Sequence, residues 1–303
     1  MDSRTRTSAV RTYPLRAAAR ITGLSPELLR AWERRYGAVE PRRTPGGTRR
    51  YSSEDLERLR WLKAAVDAGN RISTLAECDI EELKRRAAVD GKESDDRLEE
   101  ALHAISRLDA PDVQRIISQK FSLLGPTRFA REFAMPLAQQ IGQRWSESRM
   151  SIASEHLATG VLRTVLGSAL QPSARSMQGP CVVFATPAGE LHELGLQMVA
   201  LTALGAGASP VYLGADLPVD ALADAAVQTG AVAVALSIIT LPEQSAMAEI
   251  SSLREALPER VQLWVGGSCA HRIVAIDGVD CIATLDELED RVVLLEYGSA
   301  ESA

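Results

Sequence analysis

A histidine in the C-terminal third of the chain lies where a protein could hold a metal. His192 follows an apolar, β-rich run, Cys181–Thr186, and stands two residues after Glu190. In open α/β sheets, ligands bind in the crevice formed by loops at the carboxyl ends of the strands. An imidazole nitrogen in such a loop can coordinate a metal, although a loop histidine beside a glutamate is also typical of a surface ion pair. Residues further along the chain favour the interpretation of His192 as a metal ligand.

Ser237 and the pair Gly266-Gly267 follow this loop at defined spacings in the sequence. Forty-one residues separate Gly195 from Ser237, and 26 separate Ile239 from the pair Gly266-Gly267. Together with the acid-x-His-x-x-Gly loop, this spacing is similar to the cobalamin-binding signature. In that family the loop, a Ser-x-Leu after the third strand and a Gly-Gly after the fourth strand hold the cofactor in its base-off form.

The resemblance implies a role for each position of the signature. His192 would be the lower cobalt ligand, and Glu190 would orient and polarise its imidazole. Glu190 stands where Asp is commoner, and Ile239 where Leu is commoner. The remaining positions, which would accommodate the cofactor and its nucleotide tail, are Gly195, Ser237, Gly266 and Gly267.

A second group of residues precedes this region in a segment of helical periodicity. Trp145 is followed after nine residues by Glu155-His156, and Ile152 lies between them. This pattern resembles the upper cap of CarH-type photoreceptors, MerR-type repressors in which such residues surround the adenosyl group of adenosylcobalamin. The resemblance implies that Trp145 and Ile152 pack against that group and that Glu155 accepts hydrogen bonds from ribose hydroxyls. Taken alone, Trp145 is also typical of a bundle core residue, and Glu155-His156 is also typical of a solvated pair on a helix surface.

One position departs from the CarH-type pattern. These photoreceptors often carry a histidine directly after the tryptophan, which takes the upper cobalt position after illumination; here that residue is Ser146. A serine hydroxyl is a poor cobalt ligand, and the sequence does not place His103 or His271 near the upper face. The upper ligand after illumination therefore stays open, with His156 as a candidate. The choice of adenosylcobalamin over another cobalamin, or over an additional pigment, stays open with it.

Basic residues of the N-terminal quarter are arranged as a DNA-binding surface. A short helix, Leu15–Thr22, is followed by a turn at Gly23 and by a second helix that Ser25 caps, which together predict a helix-turn-helix. Residues 41–51 then predict a hairpin wing. Arginines on the helix can reach phosphates and guanine edges, and those on the wing can grip the flanking backbone. The residues expected to contact DNA are Arg30, Arg34, Arg35, Arg42, Arg43, Arg49, Arg50 and Tyr51.

The stretch Leu29–Gly37, followed by Arg49–Ser52, resembles the DNA-binding domain of the MerR family over roughly residues 12–80. The resemblance implies a winged helix-turn-helix that binds an inverted repeat in double-stranded operator DNA as a pair of protomers. MerR proteins usually dimerise through a long helix after this domain. Here the helix predicted from Glu54 to Ala68 is short, and no long heptad run follows it. We therefore expect the C-terminal part of the chain to arrange self-association.

Three predicted units position these residues. Residues 1–80 form the MerR-type domain, and residues 81–96 form a polar linker. Residues 97–175 carry apolar residues at helical spacing with three breaks, which predicts a four-helix bundle. From 179 to 303, five β-rich runs alternate with helical ones, which predicts a doubly wound, five-stranded parallel sheet of Rossmann-like topology. The predicted fold is a multidomain α and α/β protein.

Composition and charge narrow the class of protein. The chain has 303 residues, of which 46% are hydrophobic and 24% charged, and it shows neither a membrane-spanning stretch nor a secretory signal. Its four cysteines are far apart, which argues against disulfides and zinc sites. Residues 1–75 carry 16 Lys/Arg against 8 Asp/Glu, whereas the remainder carries 18 against 32. We expect a cytoplasmic protein whose basic N-terminal end contacts DNA.

Three functions are compatible with these patterns. The favoured one is a light-responsive repressor, without enzymatic activity, that adenosylcobalamin holds on its operator as a homo-oligomer in the dark and that photolysis releases. The second is a cobalamin-independent MerR-type regulator that uses the same fold for dimerisation or antirepressor binding. The third is the cobalamin-carrying module of a methyltransferase, which would need a substrate barrel. Operator DNA and other copies of the chain are the expected partners, RNA polymerase at the promoter is a further candidate, and no membrane is expected.

Overall fold

The described residues of the computed structural model are 12–87, 91–171, 179–268 and 276–298. They fall into two units, which divide at residue 93. His271, one of the histidines considered above, lies outside the described residues.

The N-terminal unit is a winged helix-turn-helix. Its elements are β1 (Thr12–Pro14), α1 (Leu15–Thr22), α2 (Pro26–Tyr36), β2 (Arg42–Arg43), β3 (Arg49–Ser52), α3 (Ser53–Asp67), α4 (Ile72–Leu75) and α5 (Ile80–Ala87). The strands form an antiparallel sheet in the order β1-β3-β2, so the predicted hairpin gains a third strand that precedes α1. Leu29 and Trp32 of α2 are buried, which orients the rest of that helix toward solvent.

Local sequence sets the ends of these helices. Gly23 ends α1 in the left-handed conformation, with φ of 66°, which glycine adopts without steric cost. The Ser25 hydroxyl then accepts a hydrogen bond from the amide of Leu28, so that it caps α2 as predicted. Ser52 and Asp55 form a capping box that starts α3 directly after the wing. These local signals fix where α1 ends and where α2 and α3 begin.

The structure corrects the expected extent of the linker, residues 81–96. Helix α5 covers its beginning, and α6 (Gly91–Ser106) covers its end. The Asp79 side chain accepts from the amide of Glu82, Leu83 is buried, and Glu82 pairs with Arg86 at 2.7 Å. The first-turn cap, the buried Leu83 and a hydrogen bond from the Asn70 side chain to the Arg86 carbonyl dock this charged segment as a helix, which polar composition alone does not reveal.

The next part of the chain is the predicted four-helix bundle. It contains α6, α7 (Ala110–Phe129), a π-helical segment (Ala130–Ala134), α8 (Met135–Ser146) and α9 (Ile152–Ala169). Non-helical backbone at Gly125, followed by Pro126, interrupts α7 and separates the second helical rod from the third. Asp109 caps α7 and Ser151 caps α9, so the helices begin close to the predicted breaks.

The C-terminal part is the predicted parallel sheet. Its elements are β4 (Cys181–Pro187), α10 (Leu194–Gly205), β5 (Ser209–Leu217), α11 (Val219–Gln228), β6 (Ala233–Ser237), α12 (Glu243–Ala256), β7 (Gln262–Gly266), β8 (Val279–Cys281) and α13 (Leu285–Gly298). The strand order is β5-β4-β6-β7-β8, and every pairing is parallel. The chain leaves β4 toward β5 on one side and leaves β6 toward β7 on the other, so the sheet has a topological switch point between β4 and β6.

Helix α10 joins the bundle to the sheet. Met198 and Leu201 belong to the bundle core, whereas Leu196 and Ala200 belong to the core on one face of the sheet. A helix that is buried on both sides is expected to be apolar all round, and apart from Gln197 and Thr202 this segment is. Bundle and sheet therefore share one helix, and that helix begins two residues after His192.

Candidate functional site

Two loops meet at the switch point of the sheet. The loop after β4 carries Glu190 and His192, and the loop after β6 carries Ile239, Thr240 and Leu241. Because β4 and β6 are neighbouring parallel strands, both loops leave the same edge of the sheet. This edge is the usual position of a ligand crevice in such folds.

Glu190 connects the two loops through a fully buried carboxylate. Its Oε2 accepts hydrogen bonds from the amides of Ile239 at 2.8 Å, Thr240 at 2.6 Å and Leu241 at 3.1 Å. Burial alone would raise the pKa of Glu190, but the hydrogen bonds from the backbone amides of Thr240, Ile239 and His192 outweigh it and lower the pKa to about 2. Glu190 is therefore a fixed negative charge at neutral pH.

This carboxylate also orients the imidazole of His192. The Nδ1 atom lies 2.7 Å from Glu190 Oε1 and 3.2 Å from the hydroxyl oxygen of Thr240. An ionised carboxylate can only accept, so in the neutral imidazole Nδ1 carries the proton and Nε2 keeps its lone pair. The His192 side chain is 58% exposed. A surface ion pair would account for the contact between His192 and Glu190. It would not account for the full burial of the Glu190 carboxylate, or for the hydrogen bonds that this carboxylate accepts from backbone amides of the second loop.

The glycine pair has a structural reason of its own. Gly267 has a φ of 103°, and a Cβ added there would lie 2.3 Å from the carbonyl oxygen of Ile238. Gly266 accepts from the amide of Ile238 at 2.9 Å. The end of β7 thus packs directly on the loop after β6, so these glycines are needed to hold the second loop in place.

The remaining signature positions are placed as follows. Ser237 is buried at the end of β6 and pairs with Gly266 in the β6–β7 register. Glu190, one methylene longer than the commoner Asp, reaches past Ser237 to the amides of residues 239–241. Gly195 lies in the first turn of α10.

The cap residues lie at the junction of α8 and α9. Trp145 is 53% exposed and Ile152 is 64% exposed, which excludes the bundle core as the place of the tryptophan. Glu155 accepts from the Thr159 hydroxyl at 2.7 Å, and His156 is exposed beside it. Large apolar side chains left in solvent at one corner of a helical bundle are typical of a surface that a ligand or partner covers.

A contact that the sequence did not predict ties this helix to the histidine loop. Arg163 of α9 pairs with Glu193, the residue directly after His192, and Tyr212 of β5 donates to the same carboxylate. Glu193 could have been noticed for its position beside His192. Arg163 and Tyr212 carry no such signal, because only the fold brings them together.

The N-terminal unit presents most of the predicted arginines to solvent. Arg30, Arg34 and Arg35 are exposed on α2, and Arg42 and Arg43 are exposed on β2. Their placement on the second helix and on the wing fits contact with phosphates and base edges.

Glu33 changes the interpretation of two other residues of this unit. Its carboxylate accepts from Arg49 Nε at 2.8 and 2.9 Å and from the Tyr51 hydroxyl at 3.3 Å. Tyr51 is fully buried, so the expectation that it contacts DNA is corrected: it braces the wing from within. Burial, followed by the Glu33 carboxylate, raises the pKa of Tyr51, which keeps its hydroxyl a donor. The Nε–H of Arg49 donates to Glu33. Arg50 lies half-buried on the same strand.

Comparison with known proteins assigns both parts of the chain to known domain families. Residues 13–78 match the MerR HTH family regulatory proteins, and residues 97–169 and 180–288 match two B12 binding domain families. The chain is 33% identical over 280 residues to the HTH-type transcriptional repressor CarH of Myxococcus xanthus, covering 88% of this chain and 93% of that protein. This chain belongs to the MerR-type repressors with B12-binding domains. It is also 30% identical over 251 residues to the repressor CarA of the same organism, covering 82% and 84% of the two chains.

Membership of the MerR-type repressors with B12-binding domains establishes the general activity. The chain is a cobalamin-binding, DNA-binding transcriptional repressor. Its fold is shared with the monomethylamine corrinoid protein of Methanosarcina barkeri, with a TM-score of 0.50 and 16% identity over 67% of this chain and 99% of that one. Among the described residues, no helix is both long and apolar enough to span a membrane.

Proposed function

We propose that this repressor is light-responsive: with adenosylcobalamin bound in the dark it occupies operator DNA as a homo-oligomer, and green light releases it. The cofactor supplies a cobalt–carbon bond that light breaks. The chain itself would hold the cofactor with the oriented imidazole of His192 and with the apolar cap of Trp145 and Ile152. A ligand can bias assembly only through its different affinity for two states, and loss of the adenosyl contacts would change that affinity.

One observation supports this proposal: the oriented histidine and the exposed aromatic cap occur in the same unit of the chain. Helix α10 packs in the cores of both the bundle and the sheet, and Glu193 pairs with Arg163 of the bundle. His192 would offer Nε2 to cobalt, with Glu190 fixing its tautomer. Trp145 and Ile152 would cover the adenosyl group, which explains why both are exposed in the chain alone. Glu155 would accept hydrogen bonds from ribose hydroxyls.

The proposal extends to partners and compartment. The arginines of α2 and β2 would bind an inverted repeat through two protomers, and the bundle and sheet would arrange self-association, since α3 has only 15 residues. RNA polymerase at the promoter is a further candidate partner, the cytoplasm is the expected compartment, and we expect no enzymatic turnover.

The direct test follows the purified full chain with adenosylcobalamin in the dark and then after green light. We expect a one-to-one complex by absorbance, a larger particle than the apo-protein by size-exclusion chromatography with light scattering, and dissociation after illumination. A cobalamin-independent regulator would bind no cobalamin. A carrier module of an enzyme would bind cobalamin without a light-dependent change in size.

A further inference from the structure

A shared carboxylate links three elements beside the histidine loop. Glu193 Oε1 lies 3.2 Å from Arg163 Nε, and Glu193 Oε2 accepts from the Tyr212 hydroxyl at 2.8 Å. Arg163 belongs to α9, Tyr212 belongs to β5, and Glu193 precedes α10. The Glu193 side chain is only 21% exposed, so its charge needs these partners.

Tyr212 keeps this arrangement in one protonation state. Burial, followed by the Glu193 carboxylate, raises the pKa of Tyr212, so its hydroxyl remains a donor throughout the physiological range. The Arg163 guanidinium adds a second donor. The Glu193 carboxylate is thus held from the bundle side and from the sheet side at once.

Helix geometry connects this contact to the cap. One side of α9 carries five residues that are three, one, three and four positions apart, which is the spacing of residues on one face of a helix. They are Ile152, Glu155, His156, Thr159 and Arg163. Glu155 and Arg163 are eight residues apart, or about 12 Å along the axis. Arg163 forms an ion pair with Glu193, the residue after His192. The side of α9 that carries the cap residues is therefore held at a fixed position relative to the histidine loop.

We propose that Arg163 and Glu193 are positioning residues that fix the space between the cap and His192, and so make the site select cobalamins with a large upper ligand. The inference rests on the proposed function, because it assigns the selectivity of the same site. Neither residue is expected to touch cobalt. If the pair is broken, α9 can shift, and the ligand that needs close cap contacts should lose more affinity than one that does not.

The test compares two cobalamins on the full-length protein in the dark. For Arg163→Gln and Glu193→Gln we expect affinity for adenosylcobalamin to fall about fivefold and affinity for hydroxocobalamin to change less than twofold. The double variant should be no weaker than either single variant, because both remove one interaction. Arg163→Lys should recover part of the loss. Arg97→Gln, which removes an exposed ion pair with Glu100 in α6, is the matched control.

A second measurement uses the apo-protein, so that it does not depend on cobalamin. Hydrogen exchange should accelerate in both variants at residues 188–193 and in the first turns of α9, but not in Arg97→Gln. Tyr212→Phe should give a smaller change, since it removes one donor. Equal losses for both cobalamins, or unchanged affinities and exchange, would overturn the inference. Failure of the wild-type chain to bind either cobalamin would instead reject the proposed function and this inference with it, whatever the exchange shows.

Discussion

At the scale of single residues, the buried carboxylate of Glu190 determines which nitrogen of the neutral His192 imidazole carries the proton. Hydrogen bonds from the amides of Ile239, Thr240 and Leu241 hold that carboxylate ionised, and it holds Nδ1 in turn. The amides come from a different loop, so the imidazole is oriented by the fold and not by its own loop alone. A side chain fixed in this way loses little freedom when it coordinates a metal.

His192→Ala should weaken cobalamin binding at least tenfold, because it removes the only proposed bond from the chain to cobalt. Isothermal titration of the dark protein, together with the visible spectrum of the complex, measures this loss. His103→Ala, which changes an exposed histidine of α6, should bind as the wild type does. Wild-type affinity and spectrum in His192→Ala would show that another group binds cobalt.

Glu190→Gln should destabilise the fold in a pH-dependent manner. The pKa of Glu190 lies at about 2, below the ordinary value of 4.5, so ionisation stabilises the folded chain above about pH 4.5 and this contribution is lost as the pH falls toward 2. We expect a loss of roughly 2–3 kcal/mol in the free energy of unfolding at pH 7, and a smaller difference from wild type at pH 3.5. Urea unfolding at both pH values tests this, with the exposed Glu259→Gln as control. A difference that is independent of pH would mean that shape, not charge, is what the site requires.

Ser146 should leave the upper cobalt position weakly occupied after illumination. Its hydroxyl donates to the carbonyl of Gln143 at 2.8 Å, so it is engaged with its own helix. We expect illuminated wild type to lack the absorption spectrum of cobalamin with two imidazole ligands and to exchange its cobalamin more readily than Ser146→His. Spectra and exchange rates of the two proteins after the same light dose measure this. A stable two-imidazole spectrum in wild type would indicate that another histidine, such as His156, supplies the ligand.

At the scale of elements, Glu33 fixes the wing to the second helix of the N-terminal unit. Arg49 and Tyr51 of β3 both contact its carboxylate, which is itself only 14% exposed. The exposed Arg34 and Arg35 lie beside it on the same helix. Among the arginines of this surface, Arg34 and Arg35 are exposed, whereas Arg49 braces the unit. Arg43 of the wing also lies 3.9 Å from the Glu33 carboxylate.

Arg34→Ala and Arg49→Ala should affect DNA binding differently. Removing a phosphate contact at Arg34 should weaken binding to all sequences and reduce the slope of log Kd against log salt by about one. Arg49→Ala should change that slope less but lower the stability of the unit by about 1–2 kcal/mol, because Glu33 loses its charged donor. Fluorescence anisotropy at several salt concentrations and thermal unfolding separate the two effects. An equal loss of slope in both variants would place Arg49 on a phosphate.

The elements also show which kinds of information the sequence carries. All five strands of the sheet and the breaks near Asp109, Gly125 and Ser151 could be predicted, because β-rich runs, caps and helix breakers are local signals. Helix α5 is not predicted, because its docking depends on contacts with other elements: the burial of Leu83, the hydrogen bond from the Asn70 side chain to the Arg86 carbonyl and the stacking of Lys84 over Trp61. The burial of Tyr51 and the contacts of Glu193 were missed for the same reason: they depend on which residues the tertiary fold brings together.

At the scale of the whole molecule, opposite charges are separated along the chain. The first 75 residues have a net charge of +8 and the remainder a net charge of −14. The acidic part should be repelled by DNA, so affinity for an operator depends on how many basic units an assembly presents together. A ligand that controls assembly thereby controls DNA occupancy without contacting DNA.

The most direct test of this claim is the affinity of the full-length protein for a DNA duplex selected from a random pool by the dark, adenosylcobalamin-loaded form. Fluorescence anisotropy should be measured for the apo-protein, the dark complex and the same complex after green light. We predict tight binding in the dark complex, and binding at least tenfold weaker in the apo-protein and in the illuminated sample. Equal affinity in all three states would contradict the account, because cobalamin and light would then have no control over the repressor.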